Sequence, residues 1–215
     1  MTDSAGSTLD PEAINDRLAR EHPIDDYYDK SPFFVRWIEQ TRLRIVEVGS
    51  GGGHVLRMFK QSKLTAVDVS GVFLDNARRN LAGYDARFLQ GEIVKLALPA
   101  GSFDRIICTE VLEHTTNPEE ILAELARLLD SGGRAVITVP NDPLIEGLKG
   151  LVRRTPAGWL LGGRVNWGGD EFHIHKWKPR ELRAVLSRHF VVEEQRSAPF
   201  GALPIRVCFR CRKRP

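Results

Sequence analysis

The segment LRIVEVGSGGGH at residues 43–54 joins a short β-branched run to a glycine-rich loop. Residues 43–48 are typical of a buried strand, and a short helix is expected over residues 54–61. Glycines between a strand and a helix let a ligand approach the backbone closely, and the helix N–H groups favour a negative group. Asp68 closes the next predicted strand about 20 residues further on, where a doubly wound fold holds a nucleotide ribose. The spacing therefore predicts a nucleotide-type cofactor site.

Strands and helices alternate on the C-terminal side of this loop. Ser70 and Asn117-Pro118 are predicted to begin helices, and Gly132-Gly133 to end the second one. The remaining predicted elements are strands at 64–69, 86–89, 103–109 and 134–139, a helix at 179–189, and two final strands near 190–195 and 205–210. Such alternation indicates a parallel sheet with right-handed crossovers.

Composition excludes several classes of protein. The 215 residues carry 31 Lys+Arg and 28 Asp+Glu, a net charge of +3, and 42% are apolar, as in an ordinary globular protein. Three cysteines exclude a disulfide scaffold, and no apolar run approaches a membrane span. The polar start predicts neither a signal nor a transit peptide, so a cytoplasmic location is expected. The basic tail at 206–215 reads as a solvated surface, and nucleic acid is not an expected partner. Cys208 and Cys211 fall in a predicted strand, which points them to opposite faces.

Two cofactor classes compete for the glycine loop. A dinucleotide fingerprint needs a small residue at the sixth position from Gly49, where this chain has His54. Glu47, two residues before the loop, would repel a phosphate and would suit a cofactor with sulfonium and ammonium groups. Both residues disfavour a dinucleotide-dependent oxidoreductase, which stays open as an alternative together with a non-catalytic partner protein.

Five segments in order resemble the class I S-adenosylmethionine-dependent methyltransferases, within the methyltransferase type 11 group. They are EVGSGGG at 47–53, VDVS at 67–70, QGE at 90–92, PAGSFDRIICTEVLEH at 99–114 and the Gly-Gly-strand at 132–139. The resemblance implies a doubly wound, Rossmann-like α/β fold with a seven-stranded, mostly parallel sheet and an antiparallel last strand. The methyltransferase domain would span 41–215, with a lid insertion at 141–178. It would follow an N-terminal segment at 1–40 that covers the cofactor.

The resemblance also assigns cofactor roles. Glu47 would orient the methionine end of S-adenosylmethionine, and Asp68 would accept hydrogen bonds from the ribose hydroxyls. The loop residues that would lie against the methionine end are Gly49, Ser50, Gly51 and Gly53. The residues implied at the adenine and at the strand end are Val69, Glu92 in place of the usual Asp, Ile93, Cys108 and Thr109. Tyr28 in the N-terminal segment would fold over the cofactor.

Glu110, Glu113 and His114 follow the fourth predicted strand. If helical, they share one face and could ligate a divalent metal, since EVLEH resembles ubiquinone-biosynthesis O-methyltransferases, some of which use one. His114 could instead be a general base for an acceptor hydroxyl, because an imidazole titrates near neutrality. A third interpretation is that Glu113 and His114 are framework residues. His173 and His175 could belong to a metal site or to a loop surface.

The insertion carries apolar residues at helical spacing over 144–152, with basic residues on the polar side. This amphipathic pattern fits a lid over an apolar substrate, or peripheral membrane contact through 141–165. With Trp159 and Trp167, it predicts a small hydroxylated or aromatic, fairly apolar acceptor methylated on oxygen. N- or C-methylation of a metabolite stays open, and the oligomeric state is not predicted.

Overall fold

The computed structural model describes residues 16, 20, 37–38, 42–155, 173–200 and 203–214. Within these residues the chain forms seven strands and four α-helices. In chain order the elements are β1 (Arg44–Val48), β2 (Lys63–Asp68), α1 (Gly71–Asn80), β3 (Ala86–Gln90), β4 (Phe103–Thr109), α2 (Pro118–Leu128), β5 (Leu129–Pro140), α3 (Asp142–Arg153), α4 (Pro179–His189), β6 (Phe190–Phe200) and β7 (Leu203–Lys213). Short 3₁₀ turns lie at Leu56–Met58, Ile93–Lys95 and Leu112–His114.

The strands form one sheet in the order β3-β2-β1-β4-β5-β7-β6. Strands β1 to β5 pair in parallel, and β7 pairs antiparallel with both β5 and β6. The predicted seven-stranded, mostly parallel sheet with an antiparallel last strand is confirmed. The strand order reverses between β1 and β4, so a crevice is expected at their carboxyl ends, where doubly wound sheets bind ligands.

The two faces of the sheet bury separate hydrophobic clusters. Cys208 packs on one face with Ile45 and Ile107, whereas Cys211 packs on the other with Val46 and Ile106. The prediction that the two thiols point to opposite faces is confirmed. Both cysteines are buried and free, which agrees with a structural rather than a metal-binding role.

Two predicted helix boundaries are wrong. The expected helix at 54–61 is only the 3₁₀ turn at Leu56–Met58, because Phe59 leaves the helical region (φ −117°, ψ 48°) and buries its side chain in the core. Helix α2 ends at Leu128 rather than at the glycines, since Leu129 already pairs with Phe103 across the sheet. A Cβ on Gly133 would lie 2.6 Å from Cδ1 of Leu129, so the glycine permits this close packing.

The amphipathic helix predicted at 144–152 is present as α3, in which Leu151 remains 63% exposed. The predicted lid contributions of Trp159 and Trp167, and Tyr28 of the predicted covering segment, lie outside the described residues. Among the described residues, no helix has both the length and the apolar composition needed to cross a membrane.

Candidate active site

The glycine loop leaves the carboxyl end of β1 and turns sharply. Gly49, Gly51 and Gly53 all adopt positive φ angles, of 68°, 49° and 73°. A Cβ on Gly49 would lie 2.3 Å from Cγ2 of Val111, so only glycine fits where the loop passes the segment after β4. The loop also closes on itself, because the N–H of Gly53 donates to the carbonyl of Ser50 at 2.8 Å. The backbone of the predicted cofactor loop is therefore bare of side chains at its tightest point.

Asp68 at the end of β2 fastens this loop. Its carboxylate accepts the backbone N–H of Gly51 at 2.8 Å and that of Ser70 at 2.9 Å. Burial raises the pKa of Asp68, and these hydrogen bonds partly oppose the rise. The backbone N–H of Val69 also donates to this carboxylate. A carboxylate has about four acceptor positions, so at least one remains for a ligand hydroxyl. Asp16, from the segment predicted to cover the cofactor, accepts a hydrogen bond from the hydroxyl of Ser70.

Glu47 is a buried carboxylate two residues before the loop. It is 2% exposed, it accepts the backbone N–H of Leu56, and its Oε2 has no hydrogen-bond partner in the described part of the chain. Burial raises the pKa of Glu47 well above its usual value, and repulsion from Asp68 adds to the rise. The Oγ of Ser50 is likewise buried without a partner among the described residues. A buried acid with one oxygen left without a partner costs stability. Glu47 and Ser50 therefore fit the ammonium group of a bound ligand.

The predicted adenine residues lie beside Asp68, because the N–H of Gly91 donates to the carbonyl of Asp68 at 2.9 Å. Ile93 is buried, whereas the carboxylate of Glu92 is half exposed and accepts Nζ of Lys95 at 2.6 Å. The structure thus brings both residues to the same edge of the sheet as Asp68. The Glu92 carboxylate must leave Lys95, or share it, to reach a ligand.

Val69, Cys108 and Thr109 complete the carboxyl edge of the central strands. Val69 follows β2, and its carbonyl accepts the side-chain amide of Gln90 at 3.2 Å. Cys108 pairs with Val48 across β1 and β4, directly before the glycine loop. Burial raises the pKa of the Cys108 thiol, so it stays neutral and contributes packing and backbone groups. Thr109 is the last residue of β4.

The expected helical face of Glu110, Glu113 and His114 is not present. Glu110 has a left-handed φ of 54°, and the chain then forms the 3₁₀ turn at Leu112–His114. The carboxylate of Glu110 accepts the hydroxyl of Thr138 at 2.9 Å and lies 3.1 Å from Nε of Arg206. The predicted metal set therefore loses Glu110 as a shared ligand, because its side chain is held by strands β5 and β7.

Glu113 and His114 instead lie beside His173, for which the sequence left a metal site and a loop surface open as alternatives. The carbonyl of Glu113 accepts the N–H groups of Ile174 and His175 at 2.7 and 3.1 Å, so the two segments are fixed side by side. The ring centroids of His114 and His173 lie 4.8 Å apart. The side chain of Glu113 is fully buried, and burial raises its pKa well above the usual value, as do the nearby acids.

Asp142, the first residue of α3, was missed by the sequence reasoning. Both of its carboxylate oxygens lie 3.0 Å from Nδ1 of His173, and both side chains are largely buried. The signal in the sequence was an acid two residues after the end of a strand, at the edge where the other site residues gather. The resulting Asp142–His173 pair orients an imidazole toward His114 and Glu113. This geometry suits proton transfer or cation binding.

Comparison with known proteins points to one family. A family profile described as a methyltransferase domain matches residues 46–137. The demethylmenaquinone methyltransferase of Thermus thermophilus is 30% identical over 156 residues, which cover 68% of this chain and 69% of that protein. The ubiquinone biosynthesis O-methyltransferase of Dechloromonas aromatica is 30% identical over 124 residues, 53% of each chain. The chain thus spans about half the length of that curated relative.

Solved structures share the fold at low sequence identity. A chain of the complex between the Haloferax volcanii Trm112 methyltransferase activator and a methyltransferase superposes with a TM-score of 0.72 at 17% identity, covering 94% of this chain and 96% of that one. An S-adenosylmethionine dependent methyltransferase from Mesorhizobium loti gives 0.64 at 19% identity, covering 84% and 95%. These structures support the architecture of the sheet and its helices.

Proposed function

The chain belongs to the methyltransferase domain family, and on that basis we propose that it transfers a methyl group from S-adenosylmethionine to a small-molecule acceptor. The observation that carries the proposal is the buried, incompletely partnered carboxylate of Glu47 beside a glycine loop that Asp68 clamps. An acid in that position repels a phosphate and attracts a cationic group. The same arrangement disfavours the dinucleotide-dependent alternative.

Each part of the site has one task in this proposal. Glu47 and Ser50 hold the ammonium group, and the carboxylate of Asp68 accepts from the ribose hydroxyls. The bare backbone at Gly49 lets the ligand lie against the loop, while Ile93 packs at the adenine. S-adenosylmethionine supplies an electrophilic methyl group on a positively charged sulfur. Since that charge disperses during transfer, the protein's contribution is chiefly alignment and removal of the acceptor proton.

We infer O-methylation of a hydroxylated or aromatic, fairly apolar acceptor. His114 is 40% exposed at the carboxyl edge of β4, where it can reach an acceptor hydroxyl. A phenol titrates near 10, so it needs a base or a cation to become a nucleophile at neutral pH. Relatives named for ubiquinone biosynthesis and for demethylmenaquinone support a small apolar acceptor. Because these relatives are named for different methylation reactions, N- or C-methylation is the alternative.

Helix α3 and residues 173–178 are proposed to cover this acceptor. Two contacts hold them together, Asp142 with His173 and Glu146 with Lys176. The side chain of Leu151, near the end of α3, is exposed and available for the proposed membrane contact through 141–165. Co-sedimentation of the protein with anionic vesicles tests this contact. Release of the protein from vesicles by the Leu151→Asp substitution would support that contact.

The proposed activity is tested by calorimetry and by isotope transfer. Titration with S-adenosylmethionine should give saturable heat, whereas NAD should give none. Incubation of the protein with methyl-labelled cofactor and a metabolite extract should then label one or a few small molecules. Binding without any labelled product would instead favour a non-catalytic protein of this fold, and NAD binding would favour the oxidoreductase.

A further inference from the structure

We propose that Glu113, His114 and His173 form a binding site for a divalent transition-metal cation, with Asp142 orienting His173. One ligand atom from each of the three side chains lies within 4.8 Å of the other two. Two imidazoles and one carboxylate favour Zn²⁺, Mn²⁺, Fe²⁺ or Co²⁺ over Mg²⁺ and Ca²⁺, which prefer oxygen ligands. The site differs from the set expected from the sequence, because His173 replaces Glu110.

The carboxylate of Glu113 is the observation that points to a ligand. Its side chain is fully buried, and no other described residue donates a hydrogen bond to either oxygen. Nε2 of His114 lies 3.9 Å from Oε1, which is too long for a hydrogen bond, and the guanidinium of Arg206 pairs with Glu110 instead, at 3.1 Å. A bare buried carboxylate costs stability unless a proton or a cation neutralises it. A metal ion between Glu113 and the two imidazoles removes that cost.

Asp142 supplies the support that metal-binding histidines usually have. Its carboxylate lies 3.0 Å from Nδ1 of His173. When Nδ1–H donates to an acid, the tautomer is fixed and Nε2 is left as the basic nitrogen that binds a metal. Such supporting acids raise the basicity of the ligand, and their loss weakens metal affinity by about 10–100-fold. Asp142 and His173 are both largely buried, so this orientation is held firmly.

The backbone places the ligands before any metal binds. Glu113 and His114 are adjacent in the turn after β4, and the carbonyl of Glu113 anchors the residues that follow His173. Tetrahedral ligands bonded at about 2.1 Å lie about 3.4 Å apart. The present separations of up to 4.8 Å require a shift of about 1 Å. His114 is 40% exposed, so rotation of its side chain can supply that shift.

The proposal is tested by titrating the tag-free, metal-stripped protein with Zn²⁺ in a calorimeter, and with Co²⁺ followed by its visible absorption. One ion should bind per chain, and Co²⁺ should give the absorption bands of a site with nitrogen ligands. His173→Ala and Glu113→Gln should weaken binding at least 100-fold, and Asp142→Asn by about 10–100-fold. His175→Ala is the matched control, since its backbone N–H still reaches Glu113 and its imidazole is outside the cluster.

Two results would overturn the proposed site. One is equal Zn²⁺ affinity in the wild type and in His173→Ala. The other is a loss of Zn²⁺ affinity in His175→Ala as large as the loss in His173→Ala. Far-UV circular dichroism checks that each variant is folded, and Asp142→Asn, which keeps every ligand, tests the site even if Glu113→Gln unfolds the protein.

A role for the ion in catalysis rests on the proposed methyl transfer. There it would hold the acceptor oxygen and lower its pKa. A failure of the proposed function would show as absence of labelled product in every form of the protein, while the Zn²⁺ titrations would be unchanged. A failure of the metal site would show in those titrations alone.

Discussion

The carboxylate of Asp68 accepts the backbone N–H of Gly51 at 2.8 Å, so the acid that ends β2 holds the loop that leaves β1. Its other oxygen accepts the N–H of Ser70, the N-cap of α1. One side chain thereby joins three elements at the carboxyl edge of the sheet. A residue expected to hold a ligand ribose also shapes the surface on which the rest of the ligand lies.

Replacing Asp68 with alanine should therefore weaken binding of S-adenosylmethionine through two losses. The ribose loses a charged acceptor, worth about 1.5–3 kcal/mol, or roughly 10- to 150-fold in affinity, and the loop loses its clamp. Calorimetric titration measures the effect. Asp75→Ala on the exposed side of α1 is the matched control and should bind normally. Unchanged affinity in Asp68→Ala would remove this acid from the cofactor site.

Glu47→Gln should stabilise the ligand-free protein while weakening S-adenosylmethionine binding. The folded-state pKa of Glu47 lies above its unfolded value, so its contribution to stability is fully present below the unfolded pKa, near 4.3. That contribution is lost as the pH rises through the folded pKa. At pH 8 the glutamine removes this penalty and Tm should rise, by about 2–4 °C for each kcal/mol relieved. Thermal unfolding between pH 5 and 8 measures the change.

The control for this experiment is Glu120→Gln, an exposed acid on α2 that should leave both Tm and affinity near the wild-type values. For Glu47→Gln we expect about a 10-fold or larger loss of affinity, since an ion pair with the ammonium group is removed. A variant that is more stable yet binds the cofactor equally well would contradict the role of Glu47 as the ammonium acceptor.

The placement of the residues predicted to hold the cofactor follows from the sequence, whereas the placement of the residues around His114 does not. Glu47, the glycine loop and Asp68 lie at the ends of adjacent parallel strands, and strand ends follow from hydrophobic patterns. The cluster around Glu113 depends on hydrogen bonds to residues about 60 positions away, which no local pattern specifies. Glu110 was misplaced because its left-handed φ turns the chain, and spacing alone assumed a helix.

Gly49→Ala should cost more stability than Gly83→Ala, although both residues have positive φ. The two angles are 68° and 82°, and alanine in this region costs about 1–2 kcal/mol. A Cβ on Gly83 meets no atom within 4 Å, whereas on Gly49 it meets Val111 at 2.3 Å. The extra overpacking is worth about 1–3 kcal/mol. Urea unfolding of both variants measures the difference, and equal losses would show that the contact with Val111 relaxes freely.

The last prediction separates two roles of His114, as a metal ligand and as the base that removes the acceptor proton. An imidazole that binds a cation through Nε2 cannot take a proton at that atom. If His114 is a ligand, removal of metal by a chelator should abolish turnover, and added Zn²⁺ or Mn²⁺ should restore it. His114→Ala should then lower the rate of the metal-loaded protein but add nothing once the metal is gone.

If His114 is the base, the chelator should leave the rate unchanged, and His114→Ala should lower it by about 10²–10⁴-fold whether or not metal is present. The rate of methyl transfer is measured in a two-by-two design, wild type and variant, each with and without chelator. The comparison of all four rates decides between the two roles. Only the ligand role makes the loss of rate caused by the chelator and the loss caused by His114→Ala non-additive. Full activity in all four samples would mean that the acceptor is already nucleophilic, as an amine or a carbanion is, and would exclude O-methylation assisted by this residue.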